Sequence, residues 1–253
     1  VGLVAAVGLA DFGNSVTGCD IDGEKIDKLN RGIPTIYEPG IEEYLKRSVE
    51  NGRLSFTADV PAAVRAAEVV FLAVGTPQGD DGSADLSQVE EAAKTVGRNL
   101  DGYKVVVTKS TVPVGTNRRI KGIIQNEAPG KSFDVVSNPE FLREGRAVHD
   151  FFHPDRIVIG CESERAKETM EDIYRALYLI QSPFVWCGLE TAEIRAHDPE
   201  AMETFKRLFP DVSYESKSYD AVISADAAVI VTEWNEYRTL DLPKLKASMR
   251  GNI

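Results

Sequence analysis

The sequence predicts an α/β fold, a doubly wound parallel sheet covered by helices on both faces. Two observations carry that expectation: short β-branched runs, and amphipathic segments that alternate with them regularly along the chain. The runs Val69-Val70-Phe71-Leu72-Ala73-Val74, Lys104-Val105-Val106-Val107-Thr108, Asp134-Val135-Val136-Ser137 and Arg156-Ile157-Val158-Ile159 read as buried strands. The clearest helix runs from Asp85 to about Leu100, with Leu86, Val89, Ala93, Val96 and Leu100 along one stripe and Glu90, Lys94 and Arg98 off it. Strand, helix and strand in succession build a parallel sheet. Ligands of such sheets sit at the carboxyl ends of the strands. The residues just after each apolar run are therefore where a site is expected.

The chain opens on a small, apolar stretch, Val1 to Ala10, that reads as a helix without the strand that should precede it. Gly2 fits the last glycine of a G-x-G-x-x-G turn, although a helix rich in Gly and Ala is also what close packing alone produces. Ser15-Val16-Thr17-Gly18-Cys19-Asp20 is a strand ending in an acid, followed by a helix from Glu24. Asp20 lies eighteen residues after Gly2, close to the ~20 expected of the carboxylate that accepts hydrogen bonds from an adenosine ribose. An acid there disfavours a 2′-phosphate, so NAD is expected rather than NADP. The competing explanation is that Asp20, or Asp22, merely caps the following turn. Residues 1–194 thus read as a Rossmann-type NAD-binding domain. Residues 195–253 read as a second, partial Rossmann-like domain. In it a strand closes at Ala196-His197-Asp198-Pro199, and helices are expected over Glu200 to Leu208 and Ser218 to Ala225. Val212-Ser213-Tyr214 and Ala227 to Thr232 are its further strands.

Bulk properties exclude several classes. Of 253 residues 43% are hydrophobic and 27% charged, an ordinary globular balance. Lys and Arg total 29 against 40 Asp and Glu, a formal net charge of −11 that repels a phosphate backbone and argues against a nucleic-acid partner. No run reaches the ~18 apolar residues of a membrane span. Cys19, Cys161 and Cys187 show no CxxC spacing, so neither a disulfide framework nor a zinc site is expected, and no other metal. The cytoplasm is the expected compartment.

Three strand ends are small and polar: Val74-Gly75-Thr76-Pro77, Lys109-Ser110-Thr111-Val112-Pro113-Val114-Gly115-Thr116, and Asn138-Pro139-Glu140-Phe141-Leu142-Arg143-Glu144-Gly145. One alone is an ordinary loop; three at the ligand-binding rim favour a site. These strings, with YEPG (Tyr37 to Gly40), HPDRIVIG (His153 to Gly160), LETAE (Leu189 to Glu193) and TEWNE (Thr232 to Glu236), resemble those of the UDP-glucose/GDP-mannose dehydrogenase family. HPDRIVIG and TEWNE are most like members that act on UDP-glucose. The resemblance implies an oxidoreductase that converts the C6 alcohol of UDP-glucose to the carboxylate of UDP-glucuronate. Two NAD are reduced, and a cysteine thioester is hydrolysed in between. It also implies that Val1, Gly2, Asp20, Lys25, Thr76, Thr111 and Glu144 contact the dinucleotide or its neighbourhood. Glu140, Phe141, Leu142, Arg143 and Glu144 lie along the nucleotide sugar, and Glu140, Thr111 and Glu144 are the catalytic candidates. Glu144 is the expected base for thioester hydrolysis, since water must lose a proton to attack an acyl group and partial desolvation raises a carboxylate's pKa towards that task. Thr111 offers a hydroxyl to position a water or a sugar oxygen.

In this family the thiol, and a lysine and an asparagine that stabilise the oxyanion, lie in a helical segment between the two domains, which also forms the homodimer. None of the three cysteines sits in such a thiol motif. Leu189 to Ile194 reads as the start of a helix, whereas Arg195 to Pro199 reads as the close of a strand. A break in the chain is therefore expected between Ile194 and Arg195. GDP-mannose or a UDP-N-acetylhexosamine remains open as substrate, as does a module that binds NAD and a sugar nucleotide without turnover.

Overall fold

A computed structural model describes residues 1–77, 84–178, 182–189, 195–208, 213–223, 225, 228 and 235–249. They group into two compact units, one holding the described residues up to 189 and the other those from 195. The expected domain boundary and chain break involve Ile194, which lies outside the described residues.

The first unit runs α1 (Gly2–Asp11), β1 (Val16–Cys19), α2 (Gly23–Asn30), α3 (Ile41–Glu50), β2 (Leu54–Thr57), α4 (Val60–Ala66) and β3 (Val69–Leu72). It continues with α5 (Ser87–Arg98), β4 (Lys104–Thr108), α6 (Thr116–Glu127), β5 (Phe133–Ser137), α7 (Ala147–Phe152) and β6 (Ile157–Gly160). α8 (Glu164–Ile173), α9 (Arg175–Tyr178) and β7 (Phe184–Cys187) complete it. β1 and β2 pair in parallel, and β3 to β7 form a five-stranded sheet in sequence order. The β3–β4, β4–β5 and β6–β7 pairs are parallel.

The central strand β4 shows why both faces are covered. All five of its residues are buried. Successive side chains point to opposite faces. Val105 and Val107 join one cluster with Val4 and Val7 of α1, Leu45 of α3 and Phe151 of α7. Val106 joins another with Val89, Ala93 and Val96 of α5 and Ile120 and Ile124 of α6. Sheet and helix periods thus meet on two apolar faces, as the alternating sequence requires.

Two expectations need correction. The sheet is not parallel throughout: β5 meets β6 antiparallel, with Ser137 opposite Gly160. α7 has six residues and so rises only ~9 Å, less than the ~17 Å of a five-residue strand. With Ser137 opposite Gly160 in an antiparallel pair, β6 starts from the same end at which β5 stopped. Strand 69–74 also ends early, at Leu72, and Ala73 to Pro77 belong to the rim loop.

The second unit contains β8 (Arg195–Ala196), α10 (Met202–Leu208), β9 (Ser213–Tyr214), α11 (Ser218–Ala221), α12 (Asn235–Arg238) and α13 (Leu242–Ser248). β8 and β9 pair in parallel. Asp198 Oδ1 accepts the backbone N–H of Glu200 at 2.8 Å and of Ala201 at 2.7 Å, fixing the turn into the next helix. α11 is shorter than the helix expected over 218–225, and most of the strand expected over 227–232 lies outside the described residues.

Candidate active site

The rim of the first unit is assembled from strand ends. At the end of β1, Asp20 accepts the Asp22 N–H on Oδ1 at 3.1 Å and pairs with Lys25 through Oδ2. Partial burial pushes its carboxyl up, but the Lys25 ammonium and the turn amides outweigh this and hold it below the ordinary value. The helix itself is capped by Asp22, whose Oδ1 takes the N–H groups of Glu24 and Lys25 at 3.0 and 3.1 Å. Asp22 is thus the helix cap, and Asp20 is an ionised acceptor at the strand end, its side chain 27% exposed. An ionised, partly open acceptor at that strand end is the chemistry that ribose hydroxyl donors need. At the start of α1, Val1 is exposed and Gly2 half-buried.

The loops after β3 and β4 are stitched together. Ser110 donates its hydroxyl to the Val74 carbonyl at 2.7 Å, and the N–H groups of Lys109 and Ser110 both reach the Leu72 carbonyl. Thr76 donates its hydroxyl to the Thr111 carbonyl at 2.9 Å. The two threonines expected beside the dinucleotide are thus one connected edge.

The loop after β5 is held from below by a buried polar cluster. Asn138 donates through Nδ2 to the Val158 carbonyl of β6 at 2.9 Å, and its Oδ1 accepts Tyr174 Oη at 2.7 Å and Lys109 Nζ at 3.2 Å. Lys109 is only 5% exposed. Its ammonium is 5.9 Å from the ring centres of both Phe151 and Tyr174. Desolvation pulls its pKa down to about 8, against the opposing pull of the Glu140 carboxylate. Above this cluster Glu140 accepts the Leu142 N–H at 3.0 Å, and the Arg156 guanidinium lies 5.1 Å from the ring centre of exposed Phe141. Leu142 packs on the core below. Arg143 closes on Asp150, whose carboxyl this contact holds well below the ordinary range.

Glu140, Phe141, Leu142 and Arg143 line a cavity of about 470 Å³, with Lys109 and Tyr174 also in its wall. Asp20, Lys25, Thr76, Thr111 and Glu144 are not among its lining residues. Glu144 is exposed, so the partial desolvation expected for it is not supplied by the described residues around it. Lys109 and Asn138 stood in the quoted strings without a role, and Tyr174 carried no signal. The one available hint was a lysine directly following an otherwise apolar strand.

The Lys109 cluster gives a pH signature. The unfolded lysine holds its proton to about 10.5 and the folded one only to about 8. Between those values the unfolded chain binds more protons, so stability rises with pH, by at most ~3 kcal/mol for this group. Tyr174 and Tyr103 act oppositely. Burial, aided at Tyr103 by Asp134, pushes both above 10, Tyr103 to about 12, so stability falls once unfolded tyrosines ionise. Urea denaturation across this range is expected to show a rise above about pH 8 and a reversal near about pH 10. Lys109→Met is expected to flatten the rise and keep the reversal. A rise of the same height in Lys109→Met would show that another group causes it.

Residues 1–178 match the model of the UDP-glucose/GDP-mannose dehydrogenase family, NAD binding domain, and residues 187–253 that of the same family's UDP binding domain. The chain belongs to the UDP-glucose/GDP-mannose dehydrogenase family. It is 47% identical over 210 residues to a UDP-glucose 6-dehydrogenase of Bacillus subtilis (strain 168), covering 83% of this chain and 45% of that protein. Against a UDP-glucose 6-dehydrogenase of Rhizobium meliloti (strain 1021) the identity is 49% over 212 residues, covering 83% and 48%. The UDP-glucose dehydrogenase structure from Pyrobaculum islandicum superposes with a TM-score of 0.71 at 47% identity, covering 75% of this chain and 44% of that one. A GDP-mannose dehydrogenase structure from Pseudomonas aeruginosa gives 0.72 at 36%, covering 76% and 45%. The chain spans about half the length of these relatives. Among the described residues no helix is long and apolar enough to cross a membrane, and no cluster of His, Cys, Asp and Glu could hold a metal.

Proposed function

We propose that this chain supplies the NAD site and one wall of the sugar-nucleotide site of an NAD-dependent UDP-glucose 6-dehydrogenase. The observation that carries this is the 47–49% identity to UDP-glucose 6-dehydrogenases, against 36% to the GDP-mannose enzyme. The reaction converts a primary alcohol and water to a carboxylate while two NAD each accept a hydride. Asp20 and Lys25 bind the adenosine ribose, with the edge made by Thr76 and Thr111 beside the dinucleotide. Glu140 to Arg143 border the sugar nucleotide, and Glu144 serves as base for thioester hydrolysis. The thiol belongs to the family's helical segment between the two domains. Cys161 is pushed up by burial and by neighbouring Cys187, and Cys187 donates its thiol to the Ile159 carbonyl at 3.4 Å, neither of which suits a thiolate nucleophile. Dimer formation through the family's central helices and a cytoplasmic location belong to the same proposal, and three cysteines without CxxC spacing fit a reducing compartment.

Calorimetric titration tests the cofactor. NAD is expected to bind more tightly than NADP, because the Asp20 charge repels a 2′-phosphate. Asp20→Ala is expected to weaken NAD and narrow the gap. Equal binding of both cofactors to the parent chain would refute the role given to Asp20. Turnover assays with UDP-glucose and GDP-mannose then decide the substrate, with UDP-glucose the expected one.

A further inference from the structure

Glu144 is itself exposed, yet the residues on either side of it are held by two separate carboxylates. On one side the Arg143 N–H donates to Asp150 Oδ2 at 3.1 Å, and its guanidinium closes on the same carboxylate at 2.9 and 2.7 Å. On the other side the Gly145 N–H donates to Glu38 Oε1 at 3.0 Å and the Ala147 N–H to Glu38 Oε2 at 3.2 Å. Glu38 comes from a loop more than a hundred residues earlier and is steadied there by the Ile41 N–H, which donates to its carbonyl at 3.2 Å. Gly145 has φ +77°, a conformation that a side chain at that position would resist. The backbone around Glu144 is therefore fixed from two directions while its own side chain is exposed.

We propose that Glu38 is a positioning residue: by capturing the two amides it fixes the backbone at Gly145 and so aims the Glu144 carboxylate. This rests on the role proposed for Glu144. A charged acceptor shared between two amides at a helix start is a strong and directional contact. Small misplacements of a reacting group are costly, about a hundredfold for ~1 Å. Val105 and Val135 are buried in β4 and β5, elements to which neither Glu38 nor the amides it holds belong.

Hydrogen exchange on the chain tests the clamp directly. In Glu38→Ala the Gly145 and Ala147 amides are expected to exchange faster while those of Val105 and Val135 stay protected; unchanged exchange would overturn the proposal. Activity is measured in an enzyme that carries this chain together with the family's cysteine segment. There Glu38→Ala is expected to lower kcat by about ten- to a hundredfold with little change in KM for NAD. In a Glu144→Gln background it is expected to cost almost nothing more. Glu38→Gln, which keeps an acceptor for one of the two amides, is expected to lose less and guards against a folding failure of the alanine variant. An equal loss in both backgrounds overturns the positioning role alone, whereas normal turnover by Glu144→Gln overturns the role of Glu144 and this proposal with it.

Discussion

Glu144→Gln, in an enzyme that carries this chain and the family's thiol, is expected to pass through oxidation and then stall with the acyl group still on the cysteine. Glutamine keeps the size and hydrogen-bonding shape of the side chain but cannot take a proton from water. Loss of a general base slows such a step by ~10²–10⁴. Intact mass spectrometry after mixing with UDP-glucose and NAD is expected to show the trapped adduct, and steady-state turnover to fall by the same factor. The site geometry makes the experiment clean. Glu144 is exposed and the loop around it is held by other groups, so the substitution leaves the fold intact. Normal turnover without adduct would remove Glu144 from the hydrolytic step.

Phe151→Ala is expected to destabilise the first unit by ~3–5 kcal/mol, the range for truncating a buried aromatic residue, which corresponds to a Tm lower by ~6–20 °C. Phe151 is 5% exposed and stacks on Phe12 with ring centres 5.7 Å apart. Its ring also fills the space beside Gly8 of α1, where a Cβ would run into it. Gly8→Ala alone is therefore expected to cost ~1–3 kcal/mol by overpacking. In the Phe151→Ala background it is expected to cost clearly less, because the two positions share one contact. Thermal denaturation of the four proteins of this cycle checks both statements. Additive losses would show that Gly8 and Phe151 do not meet as described.

Those two experiments probe parts of the molecule that differ in how far the sequence revealed them. The strands at 104–108 and 133–137 were legible because β-branched runs buried on both faces have few alternatives. The direction of β6 was not, since side-chain pattern says nothing about which way a strand runs. Asp20 was placed by its spacing and by the strand it ends, and its pairing with Lys25 joins two residues named together. Glu38, Asp150 and Tyr174 escaped notice as site residues because their roles arise from contacts across long stretches of chain. Periodicity and motif spacing register only near neighbours. Glu144 illustrates the converse: its place in the string after β5 was readable, but its exposure depends on what packs around it.

The separation between Glu38 and Gly145 also bears on how the molecule acquires its shape. A contact that closes so long a stretch of chain carries a large loop-closure entropy and forms after the local helices and neighbouring strands. The loop from Asn138 to Gly145 therefore takes its final form late in folding, once both ends of the clamp are already docked. On this folding order a nascent chain would keep Leu142 exposed until then; in the folded unit it packs on the core.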